Sequence, residues 1–211
     1  MKILAIGGHA DDVELGLGGT ITRHASQHDV VHILLVTHSA YEDYTGKLIR
    51  SKEQALKESI DAARVMGVNQ ENIVCLGYET KLVEFNAKLI EDLNREIDKI
   101  KPDIIYTHWD GDINQDHSAI SKATIVAGRN IPRILMYQSN WYKTTKQFDG
   151  NFYADITDFI DTKINAIKAH KSEFDKRGDA WPDFFRNNCR NSGLEIGVQY
   201  AEKFQVFKWI I

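Results

Sequence analysis

Only two cysteines occur among the 211 residues, Cys75 and Cys189. They lie far apart and lack C-x-x-C spacing, so neither a disulfide framework nor a cysteine-based zinc site is expected. A basic excess is also missing. The formal net charge is −4, whereas a general nucleic-acid binder carries a strong positive balance. No run approaches the roughly 18 apolar residues needed to span a bilayer, so no stable membrane insertion is expected. The opening MKILAIGGHADD has one lysine and an apolar stretch too short for a signal-peptide core. It reads better as a first β-strand. Internal repeats, low-complexity tracts and linkers are absent. The early glycines Gly7, Gly8, Gly16, Gly18 and Gly19 do not form G-x-G-x-x-G, and aspartates stand where a pyrophosphate needs amides, which disfavours dinucleotide binding. These absences leave a soluble, cytoplasmic chain, 43% hydrophobic and long enough to bury a real core.

Short apolar runs then alternate with amphipathic stretches. Strands are expected at Lys2–Gly7, Val30–Thr37, Asn72–Leu76, Asp103–Thr107 and Arg133–Tyr137. Helices are expected at Leu15–His24, Ser51–Met66, Phe85–Ile100 and Ser118–Ala127. This order predicts a Rossmann-like α/β fold, a mostly parallel sheet with helices on both faces. Past Gln138 the pattern is less regular and richer in aromatics. It predicts a C-terminal elaboration with a helix at Ile156–Ser172, another within Phe184–Lys203 interrupted by Gly193 and Gly197, and a final strand at Phe204–Ile210.

Ligands of open α/β sheets bind beyond the carboxyl ends of the strands, and the chemically capable residues fall there. Gly8-His9-Ala10-Asp11-Asp12-Val13-Glu14 follows the first strand, and His108 to His117 follows the fourth. Two imidazoles and a carboxylate with an open fourth position make a catalytic zinc set. His9 and Asp12 are close enough in sequence to converge on one ion, and His117 can close the set. Such an ion lowers the pKa of bound water toward about 7. Asp11, beside the ligands, is placed to take that water's proton and return it to a leaving amine. The same pattern also suits a capping acid pair beside a packed histidine, and spacing alone does not separate the two.

At these residues the sequence resembles the LmbE-like, or PIG-L, family of zinc-dependent N-deacetylases. The family's motif A/G-H-P/A-D-D-x-E stands here as Gly8 to Glu14, and its H-P-D-H as Asn114-Gln115-Asp116-His117. Further similarity at Ala62–Val68, Ala169–Glu173 and Gly197–Phe204 extends the match along nearly the whole chain. The resemblance implies one deacetylase domain over 1–211 and a Zn2+ ion held by His9, Asp12 and His117. It implies Asp11 as general base and acid. The substrate is then a small N-acetylated amino sugar or its conjugate, releasing acetate; homo-oligomers are known in similar proteins. Asn114 replaces a histidine that stabilises the oxyanion in relatives, and an amide can still donate a hydrogen bond there. Arg50, three residues before Glu53, is the candidate for the family's substrate arginine. Asp116 is expected to serve the catalytic site by orienting a neighbour or contacting the metal centre. His38 and His108 are taken as substrate-pocket candidates, and Asp112 as a solvated loop acid. Tyr41, Tyr44, Trp109, Trp141 and Trp181 are the aromatics that could stack on a sugar. Two rival readings stay open: a zinc hydrolase of another amide or ester, and a non-catalytic binding protein on the same fold.

Overall fold

Apolar runs buried on both sides become the strands at the centre of the molecule. The computed structural model describes residues 1–211. Its order is β1 (Lys2–Gly7), α1 (Asp12–Ser26), β2 (Val30–Thr37), a small hairpin of β3 (Tyr41–Glu42) and β4 (Leu48–Arg50), α2 (Lys52–Val65), β5 (Ile73–Tyr78), α3 (Ala87–Ile100), β6 (Ile104–His108), α4 (Gln115–Ala127) and β7 (Arg133–Tyr137). Then come β8 (Phe152–Asp155), α5 (Ile160–Ala169), α6 (Lys171–Arg177), α7 (Ala180–Ile196) and β9 (Ala201–Trp209). Seven strands form one sheet in the order β5-β2-β1-β6-β7-β9-β8. Neighbours from β5 to β7 pair in parallel, and β9 runs antiparallel to both β7 and β8. This is the mostly parallel α/β fold expected from the sequence.

Side chains alternate across the sheet. Ile3 and Ala5 join the core beneath α1, α2 and α5, while Leu4 and Ile6 join the one beneath α3 and α4. The chain runs outward from β1 to β2 and β5, then returns to add β6 on the other side of β1. The loops after β1 and β6 therefore diverge and leave a crevice between them at the sheet's carboxyl edge. No helix is long and apolar enough to cross a membrane.

The C-terminal part differs in detail from expectation. The helix expected at Ile156–Ser172 begins later and breaks at His170, whose ψ of 70° ends α5 before α6 starts. The helix expected within Phe184–Lys203 starts earlier, at Ala180, and passes through Gly193 unbroken. Gly193 is there for contact: a Cβ would lie 2.8 Å from the backbone of Gln199 and Tyr200. Strand β8 and the hairpin β3–β4 are too short to show as periodic patterns.

Helix α1 is two helices joined at a break. Leu17 has φ −147° and ψ 20°, so the ladder of i→i−4 hydrogen bonds fails around it. Lys163 fills the gap from one side, its Nζ donating to Glu14 O at 2.9 Å and Leu15 O at 2.7 Å. Glu202 fills it from the other, accepting from Gly19 N at 3.0 Å and Thr20 N at 2.7 Å. The two side chains also pair with each other at 2.7 Å and are both buried. A buried ion pair thus satisfies the backbone groups freed by the break, and these would otherwise be costly to leave unmade. Next to the break, a Cβ on Gly16 would meet the Tyr137 ring at 2.2 Å, so only glycine lets the first segment of α1 lie this close to β7.

Removing one partner of such a pair leaves an uncompensated charge and typically costs about 3–5 kcal/mol. Lys163→Met is expected to lower the melting temperature by roughly 10 °C, and Lys163→Met combined with Glu202→Gln to recover part of it. Calorimetry showing an unshifted single variant would contradict this reading of the break.

Candidate active site

Strand β1 ends in Gly7, and the turn that follows delivers His9, Asp11 and Asp12 to the crevice. Strand β6 ends at His108, and its loop leads into α4, which carries His117 in its first turn. The result is a nearly equilateral triangle of donor atoms. His9 Nδ1 lies 3.1 Å from His117 Nε2 and 3.3 Å from Asp12 Oδ2, and His117 Nε2 lies 3.2 Å from Asp12 Oδ2. Ligands at about 2.0–2.1 Å from a tetrahedral zinc ion stand roughly 3.3 Å from one another. The donor set and its spacing both fit such an ion.

The opposite nitrogens of the two rings are held by carboxylates. Asp116 Oδ2 lies 2.9 Å from His9 Nε2, and Asp112 Oδ2 lies 2.9 Å from His117 Nδ1. Each carboxylate draws the ring proton to the far nitrogen, turning both remaining lone pairs toward Asp12. Asp116 is itself fixed by the backbone amides of Lys81 and Val83. Asp112 accepts from Asn114 N and from the Asn140 side chain. The third donor, Asp12, is steadied by Ser139 Oγ on its other oxygen at 2.8 Å. Without a cation, electron-rich atoms packed this closely hold on to protons. Burial opposes charge on His9, but Asp116 and Asp12 outweigh it and push its pKa up to about 10. Burial likewise opposes ionisation of Asp12, yet His117 and His108 hold it well below the usual carboxylate range.

The triangle forms part of the wall of a cleft of about 430 Å³, within the usual size range for small-molecule sites. Asp11 lines it beside the donors. Its φ of 134° is a conformation that non-glycine residues adopt only under constraint. Burial raises its pKa to about 6, against the opposing pull of Arg50, so at neutral pH it is an ionised but proton-accepting carboxylate. Arg50 Nη1 stands 3.9 Å from Asp11 Oδ2. The guanidinium is anchored on Ser39 O and Ala10 O. Asn114 caps α4, its Oδ1 accepting from Asp116 N and His117 N. Asn114 and Tyr142 both line the cleft. Burial and the nearby Asp112 push the Tyr142 pKa up to about 12, keeping that phenol a proton donor.

His9, Asp11, Asp12, Arg50, Asn114 and His117 are thus brought to one cleft. Two substrate-pocket expectations need correction. His38 does not reach it: it bonds Glu79 at 2.7 Å and faces a separate small cavity. Its neighbours Thr37 and Ser39 are the ones whose side chains bond the β1–α1 turn. His108 is fully buried behind His117, stacked on it at 3.8 Å, and accepts from Gly8 N, so it does not touch the cleft. Burial and the His117 charge lower its pKa to about 4. Asp116, expected to orient a neighbour, does so: both of its oxygens are taken by His9 and two amides, so it positions a ring and is not placed to act on a substrate. His108, Asp112 and His117 also cluster within metal-binding distance of one another. However, neither His108 nor Asp112 opens on the cleft, and His117 Nδ1 is already bonded to Asp112. Among the aromatics, Tyr41 and Trp141 line the cleft, Trp181 borders it but is buried, as Trp109 is, and Tyr44 is fully exposed. Asp112, Ser139 and Tyr142 were not legible as site residues: nothing in sequence spacing separates a buried loop acid from a solvated one.

The chain matches a family model described as PIG-L, GlcNAc-PI de-N-acetylase, over residues 4–127. It is 32% identical to an uncharacterized deacetylase of Escherichia coli K12, YaiS, over 178 residues, which cover 81% of this chain and 90% of that protein. A diacetylchitobiose deacetylase of Thermococcus kodakarensis is 26% identical over 223 residues, covering 95% of this chain and 81% of that one. The solved N,N'-diacetylchitobiose deacetylase of Pyrococcus horikoshii, in complex with its inhibitor MPG, matches with a TM-score of 0.82 at 25% identity. That match covers 98% of this chain and 83% of the other.

Carboxylates that orient ligating histidines typically contribute 10–100-fold to metal affinity. Asp112→Asn is therefore expected to weaken binding of added zinc by about that factor, with little change in circular dichroism. Equilibrium dialysis giving an unchanged affinity would remove Asp112 from the site.

Proposed function

The chain belongs to the PIG-L family, and on that premise we propose that it is a zinc-dependent hydrolase removing the acetyl group from an N-acetylated amino sugar or its conjugate. One observation carries the reading. Three donors set at tetrahedral spacing share a cleft with a carboxylate, Asp11, that the donor set does not need. The cleft's walls draw on residues from His9 to Trp181, which supports reading the chain as one deacetylase domain.

His9, Asp12 and His117 would hold the ion. When bound, it supplies Lewis acidity toward the acetyl carbonyl and a lowered pKa for water at the same place. Asp11 accepts a proton from the attacking water and afterwards gives it to the departing sugar amine. Arg50 keeps the Asp11 side chain oriented between these transfers. The Asn114 amide and the Tyr142 hydroxyl stand on the cleft wall as donors for the oxyanion of the tetrahedral intermediate. Because Asn114 carries no titratable proton, both proton transfers fall to Asp11. Trp141 and Tyr41 supply flat apolar walls suited to the faces of a pyranose ring.

Acetate release from N-acetyl sugars is expected to disappear on chelation and return with added zinc. A loss of general-base catalysis is worth about 10²–10⁴-fold, so Asp11→Asn should lose that much kcat while keeping its metal content. A variant that loses the metal as well, or keeps full turnover, would sink the assignment. Zinc binding must also displace the proton that His9 holds with a pKa of about 10. Affinity should therefore rise with pH, by up to about tenfold per unit between pH 7 and 9. Titration calorimetry across that range checks the sign, and a flat profile would contradict it.

A further inference from the structure

Asp11 holds a backbone conformation that its residue type resists, with φ of 134°, and the peptide before it shows how. Both polar backbone groups of Ala10 are bound by residues from elsewhere in the chain. Its N–H donates to Ser39 Oγ at 2.7 Å, and its carbonyl accepts from Arg50 Nη1 at 3.1 Å. Those two residues are themselves joined, Arg50 Nε donating to the Ser39 carbonyl at 3.0 Å. Ala10, Ser39 and Arg50 thus close a ring of three hydrogen bonds. All three residues are buried, so none of these groups can turn to water instead. Ser39 has a φ of 58°, a left-handed conformation uncommon for serine, in which its hydroxyl serves Ala10 while its carbonyl serves Arg50. Thr37 Oγ1 braces it, accepting from Ser39 N at 3.2 Å and donating to Gly8 O at 2.7 Å. Gly8 N is held in turn by His108 Nε2 at 2.8 Å.

The turn from Gly8 to Ala10 is therefore tied down from both neighbours of β1, and Asp11 follows it directly. A strained backbone persists only where its surroundings over-determine it, and the ring around Ala10 does so here. We infer that Ser39 is a positioning residue for the proposed proton transfers: with Arg50 it clamps the Ala10 peptide and so aims the Asp11 carboxylate into the cleft. This rests on the hydrolase reading of that cleft. Ser39 lies outside both histidine-aspartate motifs and away from the cleft wall, so it touches no substrate. Arg50 has two tasks on this account. Its fork spans two carbonyls, and its charge stands 3.9 Å from Asp11 Oδ2. The metal donors are steadied separately, His9 by Asp116, His117 by Asp112 and Asp12 by Ser139. The clamp acts on the base and leaves the donor set alone.

The test replaces Ser39 with glycine, which accepts this left-handed conformation without strain and removes only the hydroxyl. In the zinc-loaded full chain, Ser39→Gly should lower kcat for acetate release by roughly 10- to 100-fold, the scale of a catalytic group set slightly out of place. KM and zinc affinity should stay unchanged. Full kcat, or a fall in zinc affinity, would overturn the positioning role. Arg50→Lys keeps the charge but cannot bridge two carbonyls. Ser39→Gly/Arg50→Lys should therefore lose no more kcat than the worse single variant, and losses that multiply would mean independent effects and no ring. NMR separates the clamp from the activity. In Ser39→Gly the Ala10 amide should exchange with solvent about tenfold faster, as one lost hydrogen bond allows. The three-bond HN–Hα coupling of Asp11, which reports φ, should change with it. Both changes in a protein whose wild type releases no acetate would defeat the hydrolase and leave the clamp standing. An unmoved amide and coupling would overturn the clamp whatever the activity.

Discussion

Two imidazole nitrogens and a carboxylate oxygen, each within 3.3 Å of the other two, cannot face one another without positive charge among them. Their lone pairs repel, and burial removes the water that would screen them. A proton can neutralise one pair at a time. A divalent cation satisfies all three at once. Every other feature of the site either enforces this convergence or follows from it. Asp116 and Asp112 hold the rings with their lone pairs inward, and the raised pKa of His9 follows from Asp116 and Asp12 packed against it.

Maintaining such a cluster requires a scaffold that does not relax. The topology supplies the coarse placement, because β1 and β6 are neighbours whose loops diverge at the switch point. Fine placement depends on the broken helix α1. Its first segment carries Asp12 and lies against Tyr137 only because residue 16 is glycine. The Lys163–Glu202 pair then occupies the break, tying α1 to α5 and β9. The C-terminal region is therefore part of the site's support.

The sequence was informative where the signal is local. Strands such as Val30–Thr37 and helices such as α3 declare themselves by apolar runs and stripes. The donors His9, Asp12 and His117 fall at strand ends, where the fold class places ligands. The misreadings concern direction and burial. His38 follows Thr37 by one residue, and one residue is enough in a strand to send a side chain to the other face. His108 ends a strand buried on both sides, so it packs behind the site. Asp112 looks like any loop acid until the fold folds its loop inward over His117. The break in α1 was not legible because the ion pair that satisfies its freed backbone groups comes from residues 163 and 202, far along the chain.

Crystals of the active, metal-replete protein, with anomalous scattering recorded on both sides of the zinc edge, give the most direct test. The proposed chemistry requires one zinc peak bonded to His9 Nδ1, Asp12 Oδ2 and His117 Nε2, with a further position open to the cleft beside Asp11. A peak held by other residues, or none in protein that still releases acetate, would contradict it.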